Sequence, residues 1–311
     1  MDASSPLVSI ILPTYNRAYI VGRAIESILS QSFTDFELII VDDGSSDNTE
    51  QVVNSFQDRR IKFLRQEKNR GVSVAINAGL RIASGVFIAI QGSDDEWYPH
   101  KLEQEVNVLR QSPKTVGVVY SRIEKIMRDG QKIYLPQDGF SPTSGNLHKQ
   151  ILSSNFITPQ ATLIRRECFE SVGFFDEDPR MVSLEDWELW IRFSMQFEFV
   201  YIGKVGARTA ISSDSLTQDQ ERRLLAREAI FQKHHNHFLR YPDIYIKQSY
   251  SIGNAFALRG EMKRARSYLW TAFKKNPLNI RYAIAFLVVW IGAPSLYRLV
   301  ARMYVRVQKF N

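Results

Sequence analysis

Phe36-Glu37-Leu38-Ile39-Ile40-Val41-Asp42-Asp43-Gly44-Ser45-Ser46-Asp47 runs from a short apolar, β-branched stretch straight into acids and small polar residues. An apolar run of this length, bounded by turn residues, reads as a buried strand and its exit loop. Upstream, Val8-Ser9-Ile10-Ile11-Leu12 stops at Pro13 and leads into a helical pattern through Ile20, Ala24, Ile28 and Leu29. Downstream come a helix from Thr49 to Phe56, a strand from Ile61 to Leu64, a helix from Val72 to Ile82 and a strand from Val86 to Ile90. This alternation predicts an α/β fold with a doubly wound, Rossmann-like, mostly parallel sheet flanked by helices. A helix from His100 to Arg110 and a strand from Gly117 to Tyr120 continue it. A hairpin then turns at Gly130 between Ile123-Met127 and Lys132-Leu135. Residues 136–160 read as a loop-rich crossing, followed by a strand from Gln160 to Ile164 and a helix from Glu185 to Met195.

With 311 residues, 44% of them hydrophobic, the chain can bury one large core and a second, smaller unit. Cys168 is the one cysteine, which excludes a disulfide framework. Met1 to Leu7 lacks the basic and apolar regions of a secretory signal, so the expected compartment is the cytoplasm. Charge is unevenly placed. Residues 1–219 hold 23 Lys and Arg against 29 Asp and Glu, whereas 220–311 hold 17 against 4. The acidic front argues against nucleic acid as a partner, and the basic tail suits phospholipid headgroups, hence peripheral contact with the inner face of the cell membrane. Past residue 219 the pattern is helical, over 220–239, 243–258, 261–275 and 279–307. Gly260, Ala265, Ala272 and Asn276-Pro277 there sit at the offsets of one tetratricopeptide-like hairpin. Tyr282 to Tyr297 is uncharged but shorter than the roughly 20 residues a span requires. It reads either as a helix lying in the membrane interface or as a core helix.

Three strand ends are unusually polar: Pro13-Thr14-Tyr15-Asn16, Asp42-Asp43-Gly44-Ser45 and Gln91-Gly92-Ser93-Asp94-Asp95. Open α/β sheets bind ligands outside the carboxyl ends of their strands, where strand order reverses. Asp94-Asp95 supplies carboxylates for a hard cation, Mn²⁺ or Mg²⁺, or else caps a helix starting near Trp97 or Pro99. Asp42-Asp43 at the same edge favours a ligand, because crowded carboxylates repel unless a cation or hydrogen-bond donors satisfy them. Tyr15 can stack on a nucleobase or simply pack. Glu185-Asp186, opening Trp187-Glu188-Leu189-Trp190, offers a general base or else complements the helix dipole. His234, His235 and His237 have no nearby Cys or acid and read as a solvated helix face. No Gly-x-Gly-x-x-Gly follows the first strand, which excludes a dinucleotide oxidoreductase.

Val8-Ser-Ile-Ile-Leu-Pro-Thr-Tyr-Asn-Arg17, Ser30-Gln-Ser-Phe33, Glu37 to Asp47, Asn69-Arg-Gly71 with Ala75 and Asn77-Ala-Gly79, and Gly92-Ser-Asp-Asp-Glu-Trp97 together resemble the family 2 glycosyltransferases of GT-A fold. Glu185-Asp-Trp-Glu-Leu-Trp-Ile-Arg192 extends the resemblance towards residue 217, and the tail matches less specifically. The resemblance implies an inverting transferase that takes a nucleotide-sugar donor, often a UDP-sugar, with Mn²⁺ or Mg²⁺ bridging the diphosphate. A saccharide or lipid-linked acceptor is implied with it, as in cell-surface polysaccharide or glycolipid assembly. Residues 1–219 would form the GT-A catalytic domain, with a nucleotide-sugar half to about 115 and an acceptor half over 116–219. Residues 220–311 would form a basic helical region. By the same resemblance Pro13, Thr14, Tyr15, Asp42 and Asp43 would hold the nucleoside, and Arg70 would lie near the base or diphosphate. Ser93 and Asp94 would complete the donor site, Asp95 with Asp94 would take the metal, and Asp186 would be the base, with Trp187 bordering the acceptor. Three departures stand out: Gly92 where an aspartate is common, Ser212 where many relatives carry histidine, and Ile76 where arginine often precedes the asparagine. Gly92 and Ser212 motivate an alternative, a catalytically degenerate nucleotide-sugar-binding protein, and the hairpin and basic charge of the tail motivate a scaffold.

Overall fold

The computed structural model describes residues 5–127, 129–136, 143–210 and 219–308, with backbone alone at Ala210 and 304–308. Among the described residues nine strands form one sheet. In chain order they are β1 Val8–Thr14, β2 Phe36–Asp42, β3 Ile61–Arg65, β4 Phe87–Ile90, β5 Asp95–Trp97, β6 Val116–Ile126, β7 Lys132–Leu135, β8 Thr162–Arg165 and β9 Glu198–Ala210. The spatial order is β3-β2-β1-β4-β8-β6-β9-β5, with β7 on β6. Neighbours among β3, β2, β1 and β4 are parallel, joined by the helices α1 Val21–Leu29, α2 Thr49–Asn54 and α3 Val72–Ile82. Strand order reverses between β1 and β4, so the switch point falls where these two strands end.

Beyond β4 the sheet is mixed: β8 runs antiparallel to β4 and β6, β6 and β9 are parallel, and β5 returns antiparallel to β9. The expected hairpin at Gly130 is present, with β7 paired to β6. Val8, Ile10, Leu12, Leu38, Ile40, Phe87 and Ala89 point to one face, where Val21, Ala24, Ile25 and Ile28 of α1 cover them. Leu102, Val106 and Leu109 of α4 Lys101–Gln111 join the same core. The opposite face takes α3 at very short range. A Cβ at Gly79 would stand 2.7 Å from a methyl of Ile11, so glycine there sets the helix–sheet distance.

The remaining helices of this part are α5 His148–Ser153, α6 Arg166–Val172 and α7 Glu185–Ser194. The loop-rich crossing expected over 136–160 therefore contains a helix. The chain divides into two compact units, 1–219 and 220–311. The second is helical: α8 Gln220–Lys233, α9 His235–Leu239, α10 Pro242–Arg259, α11 Met262–Lys275, α12 Ile280–Ile291 and α13 Pro294–Gln308. The segments expected as continuous over 220–239 and 279–307 are each broken, the second at Gly292, whose left-handed φ of 76° ends α12. Helices α10 and α11 form the expected hairpin, turning at Gly260 with φ 88°. Of the three histidines expected on a solvated face, His235 is exposed and His237 half-buried, but His234 is buried, its ring 6.1 Å from that of His237.

Candidate active site

At the carboxyl edge of the parallel strands, one polar side chain after another is buried without a hydrogen-bond partner. They are Thr14 Oγ1 ending β1, Asp42 Oδ2 ending β2, the whole Gln66 amide after β3, the whole Gln91 amide after β4, and Asp95 Oδ1 opening β5. Each such group costs roughly 1–3 kcal/mol when left unsatisfied. Their collection on one edge, across the switch point, marks a place built for something polar to complete it.

The loops there are locked together. Asn16 N–H donates to Ser45 Oγ at 2.8 Å, and Ser46 N–H donates to Asn16 Oδ1 at 2.8 Å, so the exits of β1 and β2 move as one. Tyr15, between them, is 43% exposed and available to a flat ligand, while Pro13 is half-buried and Thr14 buried. Asp42 accepts from the Ser45 backbone and hydroxyl and lies 3.9 Å from Arg65 Nε. Asp43 accepts from the N–H groups of Arg70 at 2.9 Å and Gly71 at 2.8 Å, fixing the loop that carries exposed Arg70. Burial pushes the Asp43 carboxyl up, and those two N–H groups pull it partly back. A Cβ on Gly44 would lie 2.7 Å from the Lys68 backbone, and φ is 75°, so glycine is what lets the two loops meet.

The second acidic pair does not cap a helix. Asp95 to Trp97 form β5, paired with Ala207 to Thr209, and α4 starts only at Lys101, with no side-chain cap on its first turn. Ser93 is buried and Asp94 half-buried. Asp95 is 6% exposed, and burial first, then the Asp94 charge, push its carboxyl up to about 7, while Thr209 and Gln160 act in the opposite sense. A cation would reverse both causes. Among the described residues no trio of His, Cys, Asp and Glu is assembled as a metal cage. Two carboxylates fit the mode in which Mg²⁺ or Mn²⁺ completes its shell with phosphate and water oxygens.

Gly92 is more than a missing carboxylate. A Cβ there would stand 2.5 Å from Asp95 Oδ2 and 3.2 Å from Asp94 Oδ1, so the acids fold into the volume that a side chain at 92 would take. Ile76 is buried in α3, and Ser212 lies outside the described residues. Asn77 clamps residues 175–177, donating to Phe175 O and Glu177 Oε1 at 2.9 Å.

Asp186 lies in the first turn of α7, where its Oδ1 accepts from Asn155 Nδ2 at 3.0 Å. Trp187 is not at a surface for an acceptor: it is 2% exposed, and its indole N–H donates to Ile151 O at 2.6 Å. Trp190 donates likewise to Ile157 O at 3.0 Å and Trp97 to Gln160 O at 2.8 Å. Three indoles thus peg residues 151–160, the segment that offers Asn155 to Asp186 and Gln160 to Asp95. Gln66, Asn155, Gln160 and Thr209 were not singled out by sequence, and Gln91 entered only as part of a polar strand end, without a role. The signal that could have found Gln91 is an amide closing an otherwise apolar strand. A separate cavity of about 380 Å³ lies beside Glu96, but its Arg23 and Arg208 are both paired with that carboxylate.

The profile described as glycosyl transferase family 2 matches residues 9–173. An uncharacterized glycosyltransferase of Rickettsia prowazekii, RP339, is 34% identical over 191 residues, covering 61% of this chain and 59% of that protein. The chain thus spans less than two thirds of the length of that relative. The Escherichia coli protein WfgD, named as a UDP-Glc:α-D-GlcNAc-diphosphoundecaprenol β-1,3-glucosyltransferase, is 41% identical over 120 residues, 39% of this chain and 47% of its own. Among solved structures, S. aureus TarS 1–349 in complex with UDP-GlcNAc superposes with a TM-score of 0.72 at 19% identity, covering 96% of this chain and 91% of TarS 1–349. The Pyrobaculum calidifontis mannosyltransferase PcManGT, in complex with GDP-Man and Mn²⁺, gives 0.62 at 21%, covering 97% and 84%. At these identities the two structures speak for the GT-A fold.

Proposed function

Because this chain belongs to glycosyl transferase family 2, we propose that it moves a sugar from a nucleotide-diphosphate donor, a UDP-sugar, to a hydroxyl of a saccharide or lipid-linked acceptor, with inversion. The observation that carries this reading is the row of buried polar atoms without hydrogen-bond partners at the ends of β1 to β4 and the start of β5, beside Asp94. The UDP-GlcNAc complex of TarS and the activity for which WfgD is named support UDP as the nucleotide and a lipid-linked acceptor. The product class in this reading is cell-surface polysaccharide or glycolipid, assembled in the cytoplasm at the inner face of the membrane. Among the described residues no helix is long and apolar enough to cross a membrane.

In this reading residues 1–115 take the donor and 116–219 the acceptor. Tyr15 stacks on the base, and Pro13, Thr14, Asp42 and Asp43 line the nucleoside. Arg70 faces the base or diphosphate. Ser93 and Asp94 hold the ribose side of the donor, and Asp95 with Asp94 would hold Mn²⁺ or Mg²⁺, which when bound would neutralise charge on the departing diphosphate. Asp186 accepts the acceptor's hydroxyl proton, and Asn155 orients its carboxylate by donating to Oδ1. The acceptor oxygen bonds to the anomeric carbon from the face opposite the diphosphate, whose C–O bond breaks as the nucleotide leaves with the electron pair.

Thermal unfolding with UDP-sugars, with and without Mn²⁺, tests the donor site. Mn²⁺-dependent stabilisation should vanish in Asp95→Ala, and if it persists there the metal assignment is wrong. Asp186→Asn should keep the stabilisation while transfer falls at least a hundredfold. The alternative, binding without catalysis, is motivated by Gly92 and Ser212, and wins if the protein binds UDP yet never releases it from a UDP-sugar with any acceptor.

A further inference from the structure

Helix α12 presents an apolar face to solvent. Ile280, Ile284, Leu287 and Ile291 recur at helical spacing on its outer side, with Trp290 beside them; Ile280, Leu287, Trp290 and Ile291 are between 60% and 71% exposed. The inner side is already satisfied, since Ala285, Phe286, Val288 and Val289 are buried and the Phe286 ring stacks 5.3 Å from Phe273 of α11. The outer stripe is therefore not a core face waiting to rotate inward. A surface helix normally turns polar residues outward, and a contiguous apolar stripe marks something that covers it.

Helix α13 repeats the arrangement over its described side chains. Leu296, Leu299 and Met303 are exposed, while Tyr297 is buried and donates its hydroxyl to Asn254 Oδ1 at 2.8 Å. Exposed Arg298 and Arg302 flank that stripe, and exposed Lys274, Lys275 and Arg281 precede the one on α12. From 262 to 311 the chain carries ten Lys and Arg and no Asp or Glu. A protein partner of ordinary surface composition gives no reason for such exclusion of acids, whereas an anionic lipid surface does. The 12 residues of α12 reach about 18 Å at 1.5 Å each, well short of a hydrocarbon core of about 30 Å, so the helix can lie in a bilayer surface but not cross it. Arg266, stacked 5.4 Å over the Trp290 ring, braces the end of α12 and keeps that indole at the edge of the stripe.

We infer that α12 and α13 dock the protein on an anionic bilayer, the outer stripes entering the headgroup boundary while the flanking cations meet lipid phosphates. This stands on the exposed faces themselves and names a partner for the membrane-side reading above without depending on the sugar chemistry. Flotation of the full chain with phosphatidylglycerol-containing and with pure phosphatidylcholine vesicles, in the absence of donor, is the test. The protein should float with the anionic vesicles and at least tenfold less with the neutral ones. The double variant Leu287→Ser, Ile291→Ser should lose at least tenfold of that partitioning at low and at high salt. Arg298→Glu with Arg302→Glu should lose it mainly at low salt. Both variants should keep the circular dichroism spectrum and the UDP-release rate of the parent, which separates a failed surface from a failed enzyme. No flotation, or unchanged flotation of the double serine variant, overturns the inference. So does light scattering showing a dimer that the serine pair dissociates, since the stripe then belongs to a second copy of this chain.

Discussion

Asp95 is a carboxylic acid held where its charged form is disfavoured, by burial first and by the neighbouring Asp94 charge second, which lift it from its usual 3.8 to about 7. A folded-state value above the unfolded one means that the neutral form stabilises the fold. That contribution is complete below pH 3.8 and lost as pH rises through about 7. Asp95→Asn should therefore raise the unfolding free energy of the ligand-free protein at pH 8, by on the order of 1–3 kcal/mol, and change little at pH 3.5. The same variant should lose sugar transfer. A structural acid would show the opposite, with the amide destabilising at pH 8. The proton also competes with the cation, so Mn²⁺-dependent donor binding should weaken about tenfold per pH unit below 7; a flat profile from pH 5 to 8 would exclude Asp95 as the ligand. From sequence alone the Asp94-Asp95 pair was readable as a site candidate but not separable from a helix cap. The deciding contact, β5 with β9, joins residues more than a hundred positions apart. Nor could sequence disclose that Gly92 leaves room for the Asp95 carboxylate, because that is a distance rather than a pattern.

Among the elements, the segment from 151 to 160 links the two halves of the candidate chemistry. It buries Ile151, Leu152 and Ile157 and is also held by indole N–H groups from β5 and α7 on the carbonyls of Ile151, Ile157 and Gln160. Trp187→Phe keeps an aromatic ring in the core but leaves the Ile151 carbonyl buried and unpaired. The expected cost is about 1–3 kcal/mol in denaturant unfolding. Because Asn155 then holds Asp186 less firmly, the transfer rate should fall several-fold more than UDP affinity does. Equal losses in both would assign Trp187 to stability alone. The aromatic helix itself was legible, since its 3.6-residue period needs no tertiary knowledge. What its tryptophans do was not, and β9 escaped notice because Gly203, Lys204 and Gly206 interrupt any alternation in a strand whose register against β6 shifts three times. The parallel strands β1, β2 and β4 were legible because both faces are buried, which leaves near-continuous apolar runs, whereas β3 at the sheet edge is only half-buried.

At the scale of the whole molecule, the boundary near residue 219 separates two compact units of opposite charge, acidic before it and basic after. The change of pattern from alternating strands to periodic helices made that boundary visible in the sequence. The breaks inside the tail were harder to see, since Gly292 and His234 interrupt hydrophobic periods that otherwise run on. Every residue proposed for donor, metal and base lies in the first unit, and every residue proposed for the bilayer lies in the second. Ligands that bind the native state stabilise the unit they touch by mass action, about 2.7 kcal/mol at a hundredfold excess over Kd. For a unit of this size that is roughly 5–10 °C. Calorimetry of the full chain with UDP and Mn²⁺ should raise the transition of the first unit by that amount and leave the helical unit where it was. Anionic vesicles should shift the helical unit alone. A single transition that rises as a whole with UDP would mean that the units unfold together and share their stability. In that case a substitution on the outer stripe of α12 that destabilises its helix should also lower the temperature at which donor binding is lost.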